Sequence, residues 1–317
     1  MKRFQRILVA VDLASGDELV SDELVPPSQE SVAQAIWLAG HSGAELLFLY
    51  ALDISERARQ LIDQDQIRSS NVLGHAQSVL RRLVERAKSA GVQADSRVVF
   101  GMSWVETLRQ VELGEHDLVI SGTRHRSRIR SMLLGSTGMK LLRKCPCPVW
   151  ITQPRKHRQL SSIVAATDFS PVCDYALDLA ASLVALNGAA LHIVHALSLA
   201  DDTTLRRAGM SEADISAYRN DAQRNAQEQM QQLLAREALQ GLAKKPTLHI
   251  EAGDADQVIL QQIATQSADL LAMGTIARSG LSGMLMGNTA ERLLPQVDCS
   301  LLAVKPVDFV CPIRFSS

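Results

Sequence analysis

The chain has 317 residues, about twice the size of an ordinary globular domain, so two domains are expected. Its 33 Lys and Arg nearly cancel 34 Asp and Glu, which excludes a general attraction to nucleic acid or to an anionic membrane. Apolar residues make up 46% and aromatics only 4%, so the cores rest on Leu, Val, Ile and Ala, and five cysteines, an odd number in a long chain, argue against a disulfide framework.

In chain order, the first element is a strand over 6–11, a continuous apolar run closed by Asp12. That run is too short for a signal-peptide core, and no stretch reaches the roughly 18 apolar residues of a membrane span. A soluble, cytoplasmic protein is therefore expected. A helix over 29–40, a strand over 46–52, a helix over 74–89 and a strand over 97–100 follow, the last ending at Gly101. The fourth strand, from Asp117 towards Thr123, runs into a glycine-bearing loop and a further helix, and an apolar run over 149–152 closes the half.

After a linker over 155–159 the pattern starts again. A strand ends in Asp168, a helix covers 171–186, and a long helix over 211–242 places Met230, Leu233, Leu234 and Leu242 on one face. A strand over 248–252 ends at Gly253, and Asp254 and Asp256 are expected to cap the helix that follows. Asp269 to Thr275 supplies the fourth strand, and an apolar run over 300–304 closes the chain.

The two passes are a duplication. Gly101 and Gly253 stand 152 residues apart, and the same offset carries Asp117 to Asp269, Gly135 to Gly287, Cys147 to Cys299 and Pro154 to Pro306. Earlier in each half, Gly43-Ala44 pairs with Gly188-Ala189, and the first half carries eleven extra residues around 16–27, an insertion expected in a loop. Strands that are apolar throughout lie in sheets buried on both faces, and strand–helix alternation makes them parallel with right-handed crossovers. The expected fold is α/β: two tandem, doubly wound, five-stranded parallel-sheet domains of Rossmann-like type, over 1–154 and 160–307. Together they form a pseudo-dimer within one chain, with their last strands near the interface.

Ligands of such sheets bind at the carboxyl ends of the strands, near the switch point. Asp12 and Asp168 reach that edge, as do the loops from Gly122 to Thr137 and from Gly274 to Thr289. Glycine allows close backbone approach, and a helix starting near Gly287 offers free N–H groups to an anion, with Asn288 and Thr289 adding donors. The plainer reading is a strand-to-helix loop with Asn288 as the helix cap. The first loop holds Arg124, Arg126, Arg128 and Arg130 within seven residues. They read as a solvated loop or a contact with an acidic surface ahead of a phosphate-gripping arm. Cys145-Pro146-Cys147 has one residue between its cysteines rather than the two of common zinc and thioredoxin motifs, and reads as structural. His192 and His195 alternate across a strand and do not share a metal.

The order strand–Asp, glycine loop, Gly-(Ser/Thr), and a closing strand ending in Lys305-Pro306 resembles the universal stress protein family, across nearly the whole chain and twice. Asp168-Phe169-Ser170-Pro171, His195-Ala196, Met273-Gly274-Thr275 and Gly287-Asn288-Thr289-Ala290-Glu291 are similar to its motifs, in the manner of its tandem, E-type members. In ATP-binding members of that family, the acid after the first strand and its neighbouring backbone meet adenine. The resemblance implies this role for Asp12, Thr167 and Asp168, and for the backbone of Ala51 and Ala196. The glycine loop holds ribose and phosphates, which implies Gly122, Gly135, Ser136 and Thr137 in one half and Gly274, Gly287, Asn288 and Thr289 in the other. His125 and Ala277 stand where the family's second glycine belongs, and the smaller Ala277 makes the second half the better pocket for ATP or ADP. The leading expectation is a stress-response protein binding such a small molecule without catalysis or metal, with a further homodimer left open. The alternatives are a slow nucleotide hydrolase or nucleotidyl-transfer enzyme, and a scaffold with degenerate pockets that binds a partner protein.

Overall fold

A computed structural model describes residues 4–14, 18–54, 66–123, 135–155, 159–276 and 286–315, with the side chains of 66–71 left aside. His125, Ala277 and the four loop arginines lie outside the described residues. The chain divides into two compact units: Met1–Arg158 with Ser300–Ser317, and Gln159–Cys299.

In the first unit, β1 (Arg6–Ala10), β2 (Glu45–Leu52), β3 (Ala94–Phe100), β4 (Leu118–Gly122) and β5 (Val149–Thr152) form a parallel sheet in the order β3-β2-β1-β4-β5. Ile7 stands opposite both Leu46 and Leu118, so β1 lies at the point where the strand order reverses. The closing strand of the second half, β10 (Ser300–Val304), lies antiparallel to β5 with Leu302 opposite Trp150. Trp150, Phe48, Ile7 and Leu8 are fully buried, as strands covered on both faces require. The helices are α1 (Pro26–Ser42), α2 (Gln66–Ser89), α3 (Ser103–Gly114) and α4 (Ser136–Lys144).

The second unit repeats the first four strands of the arrangement with β6 (Ser162–Ala166), β7 (Ala190–Leu197), β8 (Thr247–Ala252) and β9 (Leu270–Gly274), parallel in the order β9-β6-β7-β8. Its helices are α5 (Pro171–Asn187), α6 (Asp202–Arg207), α7 (Glu212–Leu234), α8 (Glu237–Gln240), α9 (Ala255–Thr265) and α10 (Asn288–Leu293). The duplication extends to backbone angles: Gly101 and Gly253 have φ of 138° and 145°, a region that side chains disfavour, and each turns the chain from an edge strand into a helix.

Three local expectations are corrected. The long helix over 211–242 breaks after Leu234, because Arg236 leaves the helix with ψ 135°. Its guanidinium reaches Asp178 at 2.8 and 3.0 Å and Asp174 at 3.1 Å, both on α5. Asn288 is the first helical residue of α10 rather than its cap; Gly287 holds the cap position, with no side-chain bond. Asp254 occupies the cap position of α9 without bonding through its side chain, while Asp256 pairs with Arg292 at 2.9 Å.

Candidate functional site

In the second unit the chain leaves β6 through a tight turn over 167–170. Thr167 Oγ1 accepts from the Phe169 N–H at 2.9 Å, and Asp168 Oδ1 accepts from the Ser170 N–H at 2.9 Å. Ser170 then caps α5 by accepting from the Cys173 N–H. Phe169 sits at φ 61°, a left-handed conformation costing a non-glycine residue roughly 1–2 kcal/mol. The two side-chain bonds around it hold that conformation in place.

His195, near the end of β7, locks the same turn. Its Nδ1–H donates to the Thr167 carbonyl at 2.9 Å, and its ring lies 4.3 Å from the Phe169 ring, centroid to centroid. On the other side of β6, the Gly287 N–H donates to the Thr275 carbonyl at 2.8 Å. The start of α10 is thereby fixed beside the end of β9.

Between these walls lies a cavity of about 370 Å³, within the size range of small-molecule sites, about 300–1,000 Å³. Thr167, Asp168, Ala196, Gly274, Gly287, Asn288 and Thr289 all line it, so seven of the residues singled out in the second half converge on one space. Met273, on β9 and part of a motif already singled out, joins Val194, on β7, and Ile259, on α9, which the motifs did not reveal, in an apolar wall. Alternation along β7 was the available sign, since Val194 shares a face with Ala196. A second cavity, of about 360 Å³, adjoins at Asp168, His195 and Ala196 and is bounded by α7 through Tyr218 and Ala226. Burial pushes the Cys173 thiol, beside the first cavity, up to about 11, so it stays protonated at neutral pH.

Two details revise the expected chemistry. With six residues, α10 is too short for its dipole to matter much, which leaves backbone N–H groups and the Asn288 and Thr289 side chains as the polar wall. Gly274 also has a packing reason: a Cβ there would stand 2.2 Å from Val172 Cγ1 and 3.3 Å from Cys173 Sγ on α5.

The corresponding edge of the first unit is built differently. Asp12 makes the same kind of turn, its Oδ1 accepting from the Ala14 N–H at 3.0 Å, and exchanges bonds with Ser28 on α1. Gly122 again faces a helix start, where a Cβ would meet the Pro27 carbonyl oxygen at 2.6 Å. Gly135 caps α4, and Ser136 and Thr137 form its first turn. The described part of the insertion covers the strand ends. Tyr50, in the register place of His195, donates from its hydroxyl to the Leu19 carbonyl at 2.5 Å, and burial pushes its pKa up to about 12. Asp22 ties the segment to His75 and Arg82 on α2, at 3.2 and 2.8 Å. Ala51 is 7% exposed, whereas Ala196 is half-buried on its cavity.

Among the described residues, no helix is long and apolar enough to cross a membrane, and no three His, Cys, Asp or Glu side chains form a group able to hold a metal ion.

The sequence model described as "Universal stress protein family" matches residues 3–153 and again 160–305. "Universal stress protein E" of Escherichia coli K12 is 28% identical, with 99% of this chain and 98% of that one aligned. The protein of the same name from Photorhabdus laumondii is 26% identical over 99% of both chains. Among solved structures, a universal stress protein from Archaeoglobus fulgidus superposes with a TM-score of 0.65 at 21% identity, covering 95% of this chain and 98% of that one. That likeness shows the fold.

Proposed function

Because the chain belongs to the universal stress protein family, over both of its halves, we propose that it is a stress-response protein whose second unit holds a nucleotide-like ligand of the ATP or ADP class without turning it over. The observation that carries this reading is the single cavity on which Thr167, Asp168, Ala196, Gly274, Gly287, Asn288 and Thr289 converge. Its apolar wall of Val194, Met273 and Ile259 suits a flat ring system, and the Asp168 carboxylate at the rim suits ribose or adenine donors. Asn288, Thr289 and the backbone N–H groups after Gly287 suit phosphate oxygens.

Binding without turnover is supported by the commitments of the acid. Asp168 Oδ1 accepts from the Ser170 N–H inside its own turn, which positions the carboxylate to orient a ligand rather than to activate a water. The first unit is read as not holding the same ligand, because the insertion and Tyr50 cover the strand ends where adenine would lie.

Native mass spectrometry of freshly purified protein, then titration with ATP and ADP, tests the reading. One equivalent of nucleotide per chain, displaceable and recovered unhydrolysed, is expected. Steady hydrolysis that disappears in Asp168→Asn would replace it with the hydrolase reading. Absence of any nucleotide affinity, with protein partners retained, would replace it with the scaffold reading.

A further inference from the structure

The first unit contains a thiol pair that the ligand site does not use. Cys145 closes α4, its N–H donating to the Leu141 carbonyl at 2.8 Å, and Cys147 leads into β5. Their sulfurs stand 3.5 Å apart across Pro146. Lys305, immediately after β10, reaches the same place because β10 runs antiparallel to β5. Its side chain is buried, 4% exposed, and its ammonium donates to the Leu142 carbonyl and lies 5.1 Å over the Phe309 ring.

The duplication singles this cluster out. At the offset of 152 residues, Cys147 corresponds to Cys299, but Cys145 corresponds to Val297 and Lys305 to Gln153. Both departures from the repeat meet at one point in the folded chain. A buried ammonium beside two sulfurs in contact favours one shared thiolate, the second thiol donating to the first. The hydrogen bond to Cys145 and then burial hold the proton on Cys147, while at Cys145 burial opposes charge but is outweighed by the Cys147 hydrogen bond together with the Lys305 charge, which draw it towards its thiolate.

We propose that Cys145 and Cys147 form a redox-active dithiol, closed to an intramolecular disulfide by hydrogen peroxide, with Lys305 as the residue that positions charge on the pair. The thiolate attacks one peroxide oxygen, the O–O bond breaks, and the departing hydroxide takes up a proton and leaves as water. The neighbouring thiol then displaces the hydroxyl from the sulfenic sulfur, forming the S–S bond and a second water. Two thiols lose two electrons and two protons, and the peroxide takes up both. Closure needs the sulfurs to approach from 3.5 Å to about 2.05 Å, a movement that the bend at Pro146 and the half-buried position of Cys147 leave room for.

The test uses the full-length chain, hydrogen peroxide, alkylation of remaining thiols, and mass spectrometry after trypsin. Cleavage after Lys144 and Arg155 isolates one peptide carrying Cys145 and Cys147 and no other cysteine. Cys145 is as buried as Cys299, so the comparison is with half-buried Cys311: the peptide is expected to lose two hydrogens at a rate about tenfold or more above the modification of Cys311. Cys147→Ser abolishes the closed peptide. Lys305→Gln, which installs the residue found at the equivalent position of the first half, slows closure about tenfold and moves its pH profile to higher pH. Two results overturn the proposal: a bridge from either cysteine to Cys311 in place of the pair, or oxidation of the pair no faster than Cys311. Rates in the unsubstituted protein decide between these outcomes even where a variant fails to fold.

Discussion

Replacing Gly274 by alanine separates two explanations of the same residue. If the glycine serves only a ligand, the empty protein tolerates the methyl group. The geometry says otherwise: the new Cβ would stand 2.2 Å from Val172 Cγ1 and 3.3 Å from Cys173 Sγ, against a normal carbon contact of about 3.5–4.0 Å. Either Val172 turns to another rotamer or the first turn of α5 moves by more than an ångström. Overpacking of this kind costs about 1–3 kcal/mol, which in a unit of this size lowers Tm by roughly 2–4 °C per kcal/mol.

Because the obstructing atom is a side-chain tip, Val172→Ala is expected to relieve it, with a coupling of about 1 kcal/mol or more in a double-mutant cycle. Gly122→Ala is the control. Its Cβ would meet the Pro27 carbonyl oxygen and carbon at 2.6 and 2.7 Å, which are backbone atoms, so it is expected to cost more and to resist rescue by Pro27→Ala. Differential scanning calorimetry of the ligand-free variants reads both. An unchanged Tm for Gly274→Ala, or strictly additive effects with Val172→Ala, would refute the packing argument and return the glycine to the ligand.

Calorimetric titration with ATP and ADP is expected to show loss of at least about tenfold in affinity for Gly287→Val and little change for Gly135→Val; loss only in Gly135→Val would assign the ligand to the other half. Tyr50→Phe removes the hydroxyl bond to the Leu19 carbonyl, worth about 1 kcal/mol, and should speed limited proteolysis within 18–25; an unaltered cutting rate would show that the insertion is held by other contacts. Burial lowers the Lys305 ammonium from 10.5 to about 8. With the folded value below the unfolded one, its contribution is present above pH 10.5 and is lost as pH falls through 8. Stability of the unsubstituted protein relative to Lys305→Met should therefore rise between pH 8 and 10.5 in chemical denaturation, and a flat difference would show that the ammonium is not desolvated. His192 and His249, 3.1 Å apart, are both held below 6.5, chiefly by burial. Their contribution is present above pH 6.5 and lost as pH falls, so His249→Gln should lessen the acid sensitivity of the second unit.

Much of the architecture was legible because its causes are local. Continuous apolar strands, Gly101 and Gly253 at equivalent turns, and acids at strand ends are each fixed by a few neighbouring residues, and the duplication states them twice. The convergence of Thr167, Ala196, Gly274 and Gly287 was legible for the same reason, since a parallel sheet gathers its strand ends on one edge. What escaped depends on partners far along the chain. Arg236 ends its helix in favour of Asp174 and Asp178, Asp256 turns from capping to Arg292, and Gly274 is required by Val172. No window of sequence contains both members of any of these sets.

The difference between the two strand ends follows from what each aromatic ring can reach. His195 carries a donor on the ring itself, so it satisfies Nδ1 against the Thr167 carbonyl of the adjacent turn and leaves the edge beyond Ala196 open as cavity wall. Tyr50 occupies the same place in register, but its only donor lies at the far end of the ring, beyond the reach of that turn. A buried phenol without a partner costs about 1–3 kcal/mol, and the acceptor it finds is the Leu19 carbonyl, supplied by the eleven residues that the first half alone carries. The tyrosine and the insertion therefore act as one change. Without the insertion the hydroxyl loses its acceptor; without the hydroxyl the segment keeps its ties from Asp22 to His75 and Arg82 but loses its bond to the sheet, and the two together replace an open strand edge with a covered one.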